Sequence, residues 1–256
     1  MKLLIVVLAI SSAVSAERID VRAGLGRSIS TQAIDALEKL REQMPCGFPK
    51  YGIPPLAPFK VQHKELALKT DSFSVDGEVN EARIDGLDSY KIEDLRINII
   101  LSKVTFKLVF PSIKTTSLYD LETLAKAFGF TLEIKGKGNF LLELKDLEIS
   151  GTIKYSILGG IKLRTCTIKV LLGDVESKID GILGDGFGNR KMNELIEEMI
   201  SLAINDNQGF ITDKIEEFTV KHVNEAAEGY TLADIIGIIG GGGEGESEKC
   251  IPPEDN

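Results

Sequence analysis

Apolar and polar positions alternate with a period of two through the middle of the chain. Leu95, Ile97, Ile99 and Leu101 alternate with Arg96 and Asn98, although Ile100 interrupts them. Val104, Phe106, Leu108 and Phe110 alternate with Thr105 and Lys107, and Pro111 follows. Phe130, Leu132 and Ile134 flank Glu133 and Lys135; Phe140, Leu142 and Leu144 flank Glu143 and Lys145. Ile153, Tyr155 and Ile157 continue the pattern, and Cys166, Ile168 and Val170 close it. Alternation of this kind buries one face and wets the other, which predicts an antiparallel sheet. The glycine-bearing joints Lys135–Asn139 and Leu158–Gly160 have hairpin length, and Leu124–Phe128 is expected as a short helical turn.

The spacing then becomes helical. Behind a glycine cluster (Gly181, Gly184, Gly186, Gly188), Asn189 is a candidate N-cap. Met192, Leu195, Ile196, Met199, Leu202 and Ala203 recur at helical intervals, and Phe210, Ile211, Ile215, Phe218 and Ala226 form a second set. A single helix over Asn189–Glu228 would reach about 60 Å. The two apolar stripes lie roughly 120° apart around the axis, with polar Asn205–Gly209 at the seam. Either the helix breaks there, or it is buried on different sides along its length.

A shorter amphipathic helix is expected to start at Ser30 or Thr31, to carry Ile34, Leu37 and Leu40, and to end at Pro45. Residues 45–58 hold five of the eight prolines, so they can be neither helix nor central strand. Phe48, Ile53 and Leu56 within them predict a segment packed down on the protein.

Strands first and one long helix last is an α+β order. A sheet with one apolar face needs a cover, and Asn189–Glu228 is the large apolar element able to supply it. The predicted architecture is therefore a long amphipathic helix wrapped by a highly curved antiparallel β-sheet. The inward set is Leu95, Ile97, Ile99, Val104, Phe106, Leu108, Phe110, Phe130, Leu132, Phe140, Leu142 and Tyr155 from the sheet, with Met192, Leu195, Met199, Ile215 and Phe218 from the helix. These residues suit a filled core, which periodicity alone favours, or an apolar channel. Periodicity registers burial and is blind to emptiness.

Composition narrows the setting. The 256 residues are 43% hydrophobic and carry a net charge of −9 with no run of lysine or arginine, which argues against nucleic acid and against an electrostatic hold on anionic lipid. Residues 1–16 have the form of a secretory signal: Lys2, an apolar run from Leu3 to Ile10, then Val14-Ser15-Ala16 before Glu17. That run is too short to span a bilayer, and no later one is long enough. One domain over residues 17–236 and a flexible glycine-rich, acidic tail over 237–256 are expected, in an exported protein without stable membrane insertion.

Three cysteines then enter an oxidising compartment. Cys46 and Cys250 both stand in proline-rich, loop-like sequence and form the preferred disulfide; Cys166, in a strand pattern, is expected as a small buried hydrophobe. No cysteine has a neighbour at metal-ligand spacing, so neither a metal nor another cofactor is expected.

No catalytic constellation emerges. There is no Gly-x-Ser-x-Gly elbow. His63 and His222 lack partners for acid–base work. Residues 184–188 are glycine-rich before a helix but lack the lysine-serine pair of a phosphate loop. The pairs Glu197-Glu198 and Glu216-Glu217 are expected on solvated faces. The chain is therefore not expected to be an enzyme.

The segment Gly52-Ile53-Pro54-Pro55-Leu56-Ala57-Pro58, after a signal and a short helix, resembles the opening motif of the insect takeout / juvenile-hormone-binding protein family. Ile84-Asp85-Gly86-Leu87, the strand Phe106–Pro111 followed by Tyr119, and the late amphipathic helix from Asn189 follow in the family's order, over roughly Ile29 to Ala227. The resemblance implies a secreted carrier whose tunnel, between helix and curved sheet, holds a small hydrophobic ligand and is lined by the inward set. The family's two close N-terminal cysteines are not matched, since Cys46 stands alone there, so that local disulfide does not carry over. The alternative is an extracellular module that meets a protein or a membrane, with a receptor or carrier partner and no dedicated small ligand.

Overall fold

The computed structural model describes residues 25–48, 53–69, 73–98, 100–127, 130–156, 162–182, 186–226 and 250. The expected signal, nearly all of the acidic tail, the Leu158–Gly160 joint and Ile99 lie outside them. The elements are α1 (Leu25–Gln43), β1 (Phe59–Lys69), β2 (Phe73–Asp85), β3 (Lys91–Asn98), β4 (Lys103–Ala127), β5 (Phe130–Ser156), β6 (Lys162–Leu171), β7 (Asp174–Ile179), α2 (Phe187–Asn205) and α3 (Gln208–Ala226). The strands form one curved antiparallel sheet in the order β1-β2-β4-β5-β6, with β3 pairing β4 and β7 pairing β5.

Three expectations about the elements are corrected. Pro111 does not end a strand: β4 runs through it for 25 residues. Leu124–Phe128 is not a helical turn, because β4 continues to Ala127. Lys135–Asn139 is not a hairpin, because β5 runs through it for 27 residues. The glycines there make room: a Cβ on Gly136 would stand 2.5 Å from the Tyr119 hydroxyl. The Tyr119 ring lies over this stretch of β5, directly opposite Gly138, and its hydroxyl donates to the Asp180 carbonyl at 2.5 Å. Glycine in mid-strand marks a close approach here, not a turn.

The sheet has a crease. Along β4 the inward residues are even (Val104, Phe106, Leu108, Phe110) and then odd (Ile113, Tyr119, Leu121). Along β5 they are Phe140, Leu142 and Leu144, then Leu147, Ile149, Ile153 and Tyr155. Along the outer strand they are Cys166, Ile168, Val170 and Leu172, then Val175 and Ile179. The switch falls at Pro111, Asp146 and Gly173, which lie abreast because Phe110 faces Leu147, Lys145 faces both Ser112 and Asp174, and Glu148 faces Leu171. Asp146 takes a left-handed φ of 49°. A Cβ on Gly173 would come within 2.9 Å of the Asp146 Cβ, so glycine is what lets the strands pass at that point.

On the proximal side of the crease, α1 and α3 pack on β3, β6 and the first half of β4. Ala33, Leu37 and Leu40 of α1, with Met44 just past its end, close over Ile97, Val104, Phe106, Leu108 and Tyr155, and Val223 joins them. Ile53, Leu56 and Ala57 of the proline segment are buried in the same cluster, with Leu56 N–H donating to the Met44 carbonyl at 2.8 Å. Cys46, just past α1, is bonded to Cys250, 204 residues later. On the distal side, α2 lies over β7 and the far halves of β4 and β5.

Candidate functional site

The late helical region is two helices of 19 residues each, broken at Asp206-Asn207. The helix pair runs along the open edge of the sheet, and polar side chains supply the partners that the outer strand's backbone lacks. Asn193 donates to the Ile179 carbonyl at 3.1 Å and accepts from the Ile179 N–H at 2.8 Å. Asn205 brackets Leu172 in the same way, at 2.9 Å each, and Asn224 brackets Leu163 at 2.7 and 3.0 Å. Gln208 holds both backbone groups of Val170. Glu197 accepts from Ser177 N–H at 2.7 Å, Glu216 accepts from Cys166 N–H at 3.1 Å, and Thr212 donates to the Ile168 carbonyl at 2.5 Å.

The spacing has a simple cause. Four helical residues advance about 6.0 Å and two strand residues about 6.6 Å, so every fourth helix position meets every second strand position. A straight stripe of fourth positions drifts about 40° per step around the helix. The step from Asn205 to Gln208 is three residues, which takes part of that drift back. The break sits against Leu172 and Val170, beside the crease, which accounts for two apolar stripes out of phase.

Two expectations change with this clamp. Glu197 and Glu216 do not simply face solvent; each is half-buried and serves the edge, while Glu198 and Glu217 are exposed. Asn189 is not an N-cap: α2 starts at Phe187, and the Asn189 amide donates to the Ile179 carbonyl at 2.8 Å from within the first turn. Asn189, Asn193 and Glu197, resumed at Asn205 one step beyond Ser201, carry the signal in the sequence: a polar stripe at four-residue spacing beside the apolar one.

Next to the clamping stripe, Met192 and Ile196 pack on Tyr119 and Phe140, while Ile200 and Ile204 pack on Leu147 and Val175. A third stripe lies about 110° further round, on the side away from the clamped edge. It comprises Leu195, Met199 and Leu202, which are 43%, 59% and 49% exposed. Charged Lys191, Glu194 and Glu198 border it towards solvent. This exposed apolar stripe borders the face of α2 that packs on the distal half-sheet.

The expected inward set divides at the crease. Ile97, Val104, Phe106, Leu108 and Tyr155 are buried in the proximal core, with Leu95, Phe110 and Ile215 packed against them. Phe140, Leu142 and Met192 are partly buried in the distal clusters, and Leu195 and Met199 stand open beside them. Phe218 is 51% exposed, and its ring meets that of His222 at a tilt of 59° with centroids 4.3 Å apart; it belongs to neither group. The side chains of Phe130 and Leu132, like Ile99, lie outside the described residues.

The titratable groups offer little chemistry. His63 hydrogen-bonds the Asn80 side chain at 2.7 Å, and His222 the Glu225 carboxylate at 3.1 Å. Burial, followed by the negative charge of Glu216, pushes the Cys166 thiol up to about 11, so it is neither nucleophile nor ligand at neutral pH. Among the described residues, no group of three or more His, Cys, Asp or Glu is placed to hold a metal. No helix among them is long and apolar enough to cross a membrane.

The model of the haemolymph juvenile hormone binding protein family matches residues 3–237. The chain belongs to this family. Its fold is similar to the crystal structure of Takeout 1 from Epiphyas postvittana, with a TM-score of 0.52 at 12% identity, covering 80% of this chain and 94% of that one. A lipopolysaccharide binding protein aligns at a TM-score of 0.30 and 12% identity, over 79% of this chain and 38% of that one. No sequence among curated proteins is significantly similar. Proteins of this family are binding proteins and not enzymes.

Proposed function

We propose that this chain is an exported carrier of a small hydrophobic molecule, held between α2 and the distal half-sheet without covalent chemistry. Membership of a family described by juvenile hormone binding supports a terpenoid or similar lipid as the ligand class. The observation that carries the location is the Leu195, Met199 and Leu202 wall, an exposed apolar stripe between the packed face of α2 and its charged, solvated face. The proximal residues of the inward set fill a core and hold the scaffold; Phe140, Leu142, Met192, Leu195 and Met199 form the ligand's surroundings.

Affinity on such a surface comes from apolar area removed from water, at about 25 cal/mol per Å². Titration with a fluorescent fatty-acid analogue tests the proposal. Saturable uptake is expected, weakened at least about tenfold in Met199→Lys, where a charge must be desolvated against the ligand. Uptake that does not saturate, or that ignores the lysine, would count against it.

A further inference from the structure

The turn between β3 and β4 presents Ile100 and Leu101 at 89% and 66% exposure, the first being the most exposed large apolar side chain among the described residues. The turn is fastened: Leu101 N–H donates to the Asn98 side chain at 3.0 Å, and Tyr155 N–H donates to the Ser102 carbonyl at 3.0 Å. Two aliphatic side chains are thus held out at the apex of the proximal end, where core packing gives no reason for them.

The strand segments that meet at this apex carry charge opposite to that of the molecule. Residues 95–106 and 149–169 contain Arg96, Lys103, Lys154, Lys162, Arg164 and Lys169 and no aspartate or glutamate, in a chain of net charge −9. Arg96 is paired with Asp94 at 2.7 Å just outside them, and Glu216 of α3 reaches the Cys166 N–H on the inner side. No run of basic residues exists in the sequence; the pairing of β3, β4, β5 and β6 assembles one. Lys103 stands directly opposite Lys154, a cross-strand arrangement of like charges that costs stability. Nearer the crease the same face is neutralised, with Lys107 bridging Glu93 and Glu148 at 2.9 Å each. Among the described residues, no ion pair engages Lys103, Lys154, Lys162 or Arg164.

We propose that this proximal tip is a docking surface for an anionic phospholipid bilayer. Ile100 and Leu101 enter the boundary between headgroups and acyl chains, and the surrounding lysines and arginine meet the phosphates and carboxylates. An acidic protein would satisfy the cations but would leave the aliphatic apex, convex and fastened, without a purpose. The acidic remainder of the molecule does not prevent contact, because at physiological salt its field decays over about 8 Å. The contact is peripheral and reversible, and needs no spanning segment.

Vesicle co-sedimentation of the full chain tests this with phosphatidylcholine alone, with phosphatidylcholine plus phosphatidylserine, and with soluble polyglutamate as competitor. Binding to the anionic vesicles is expected, falling steeply with added salt and only weakly inhibited by the polymer. The double variant Lys154→Gln/Lys162→Gln should weaken it about 25-fold, each cation near an anionic surface being worth roughly a five-fold change. Ile100→Ser/Leu101→Ser should weaken it while leaving the salt dependence unchanged. The turn and these lysines are exposed, so both variants should fold and take up the fatty-acid probe unchanged, the lysine variant melting at or slightly above the parent because Lys154→Gln relieves its repulsion with Lys103. Equal sedimentation with and without phosphatidylserine would overturn the proposal. So would capture by polyglutamate in preference to vesicles, which would assign the tip to an acidic protein.

Discussion

Asn193 shows how a single side chain can stand in for a neighbouring strand. It is buried, and its amide occupies the N–H and carbonyl of Ile179 and accepts from the Ser177 hydroxyl at 2.9 Å. Asn193→Ala would strand those backbone groups away from water, at about 1–3 kcal/mol for each group left unsatisfied. Urea denaturation should show a loss of about 3 kcal/mol for Asn193→Ala. Glu194→Ala, which removes only an exposed ion pair with Lys191, should cost under about 1 kcal/mol. The asparagine and glutamate spacing was legible in the sequence, but its purpose was not, because the partner strand lies far away along the chain. Buried acids supply a second test at this scale. Cys166 is raised from 9.0 to about 11 and Tyr90 from 10.0 to about 12, chiefly by burial. The unfolded chain releases these protons first, so their stabilisation is complete below pH 9 and fades as pH rises towards 12. The melting temperature should fall across that window, and Cys166→Ala should flatten the fall between pH 9 and 11. A thiol reagent should label Cys166 only when the chain unfolds.

At the level of elements, α1, the packed proline segment and the antiparallel character of the sheet could all be read from residue patterns. Their extent could not. Pro111 and the glycines at 136 and 138 are ordinary strand breakers, and tertiary structure overrides them: Pro111 sits at the crease, Gly136 admits the Tyr119 ring, and Gly138 admits the close approach of Asp180. β1 and β2 carry no period-two burial signal: His63, Lys64 and Glu65 are exposed in succession on the edge strand β1, and β2 is half-buried along most of its length on both faces. The break in the late helix follows from matching the outer strand across the crease, a cause no local propensity records. The Cys46–Cys250 bond ties the chain's end to α1 across 204 residues of sequence. On the chain-entropy account, Cys250→Ser should lower stability by up to about 5 kcal/mol. Denaturant unfolding of the variant beside the reduced parent measures it, and similar losses in the two are expected.

Over the whole molecule, the crease separates a proximal half closed by α1 and α3 from a distal half in which α2 leaves an apolar wall open. Period-two alternation cannot express that difference, because a filled core and the lining of a cavity have the same inward residues. The central claim is that the distal half receives the ligand and the proximal half does not. The chain contains no tryptophan, so one introduced indole reports without background. Emission from Met199→Trp, titrated with a fatty acid or a juvenile-hormone-like terpenoid, should shift to the blue and saturate, while Phe106→Trp in the proximal core stays unchanged. A shift confined to the Phe106→Trp protein, or none in either correctly folded variant, would contradict the account.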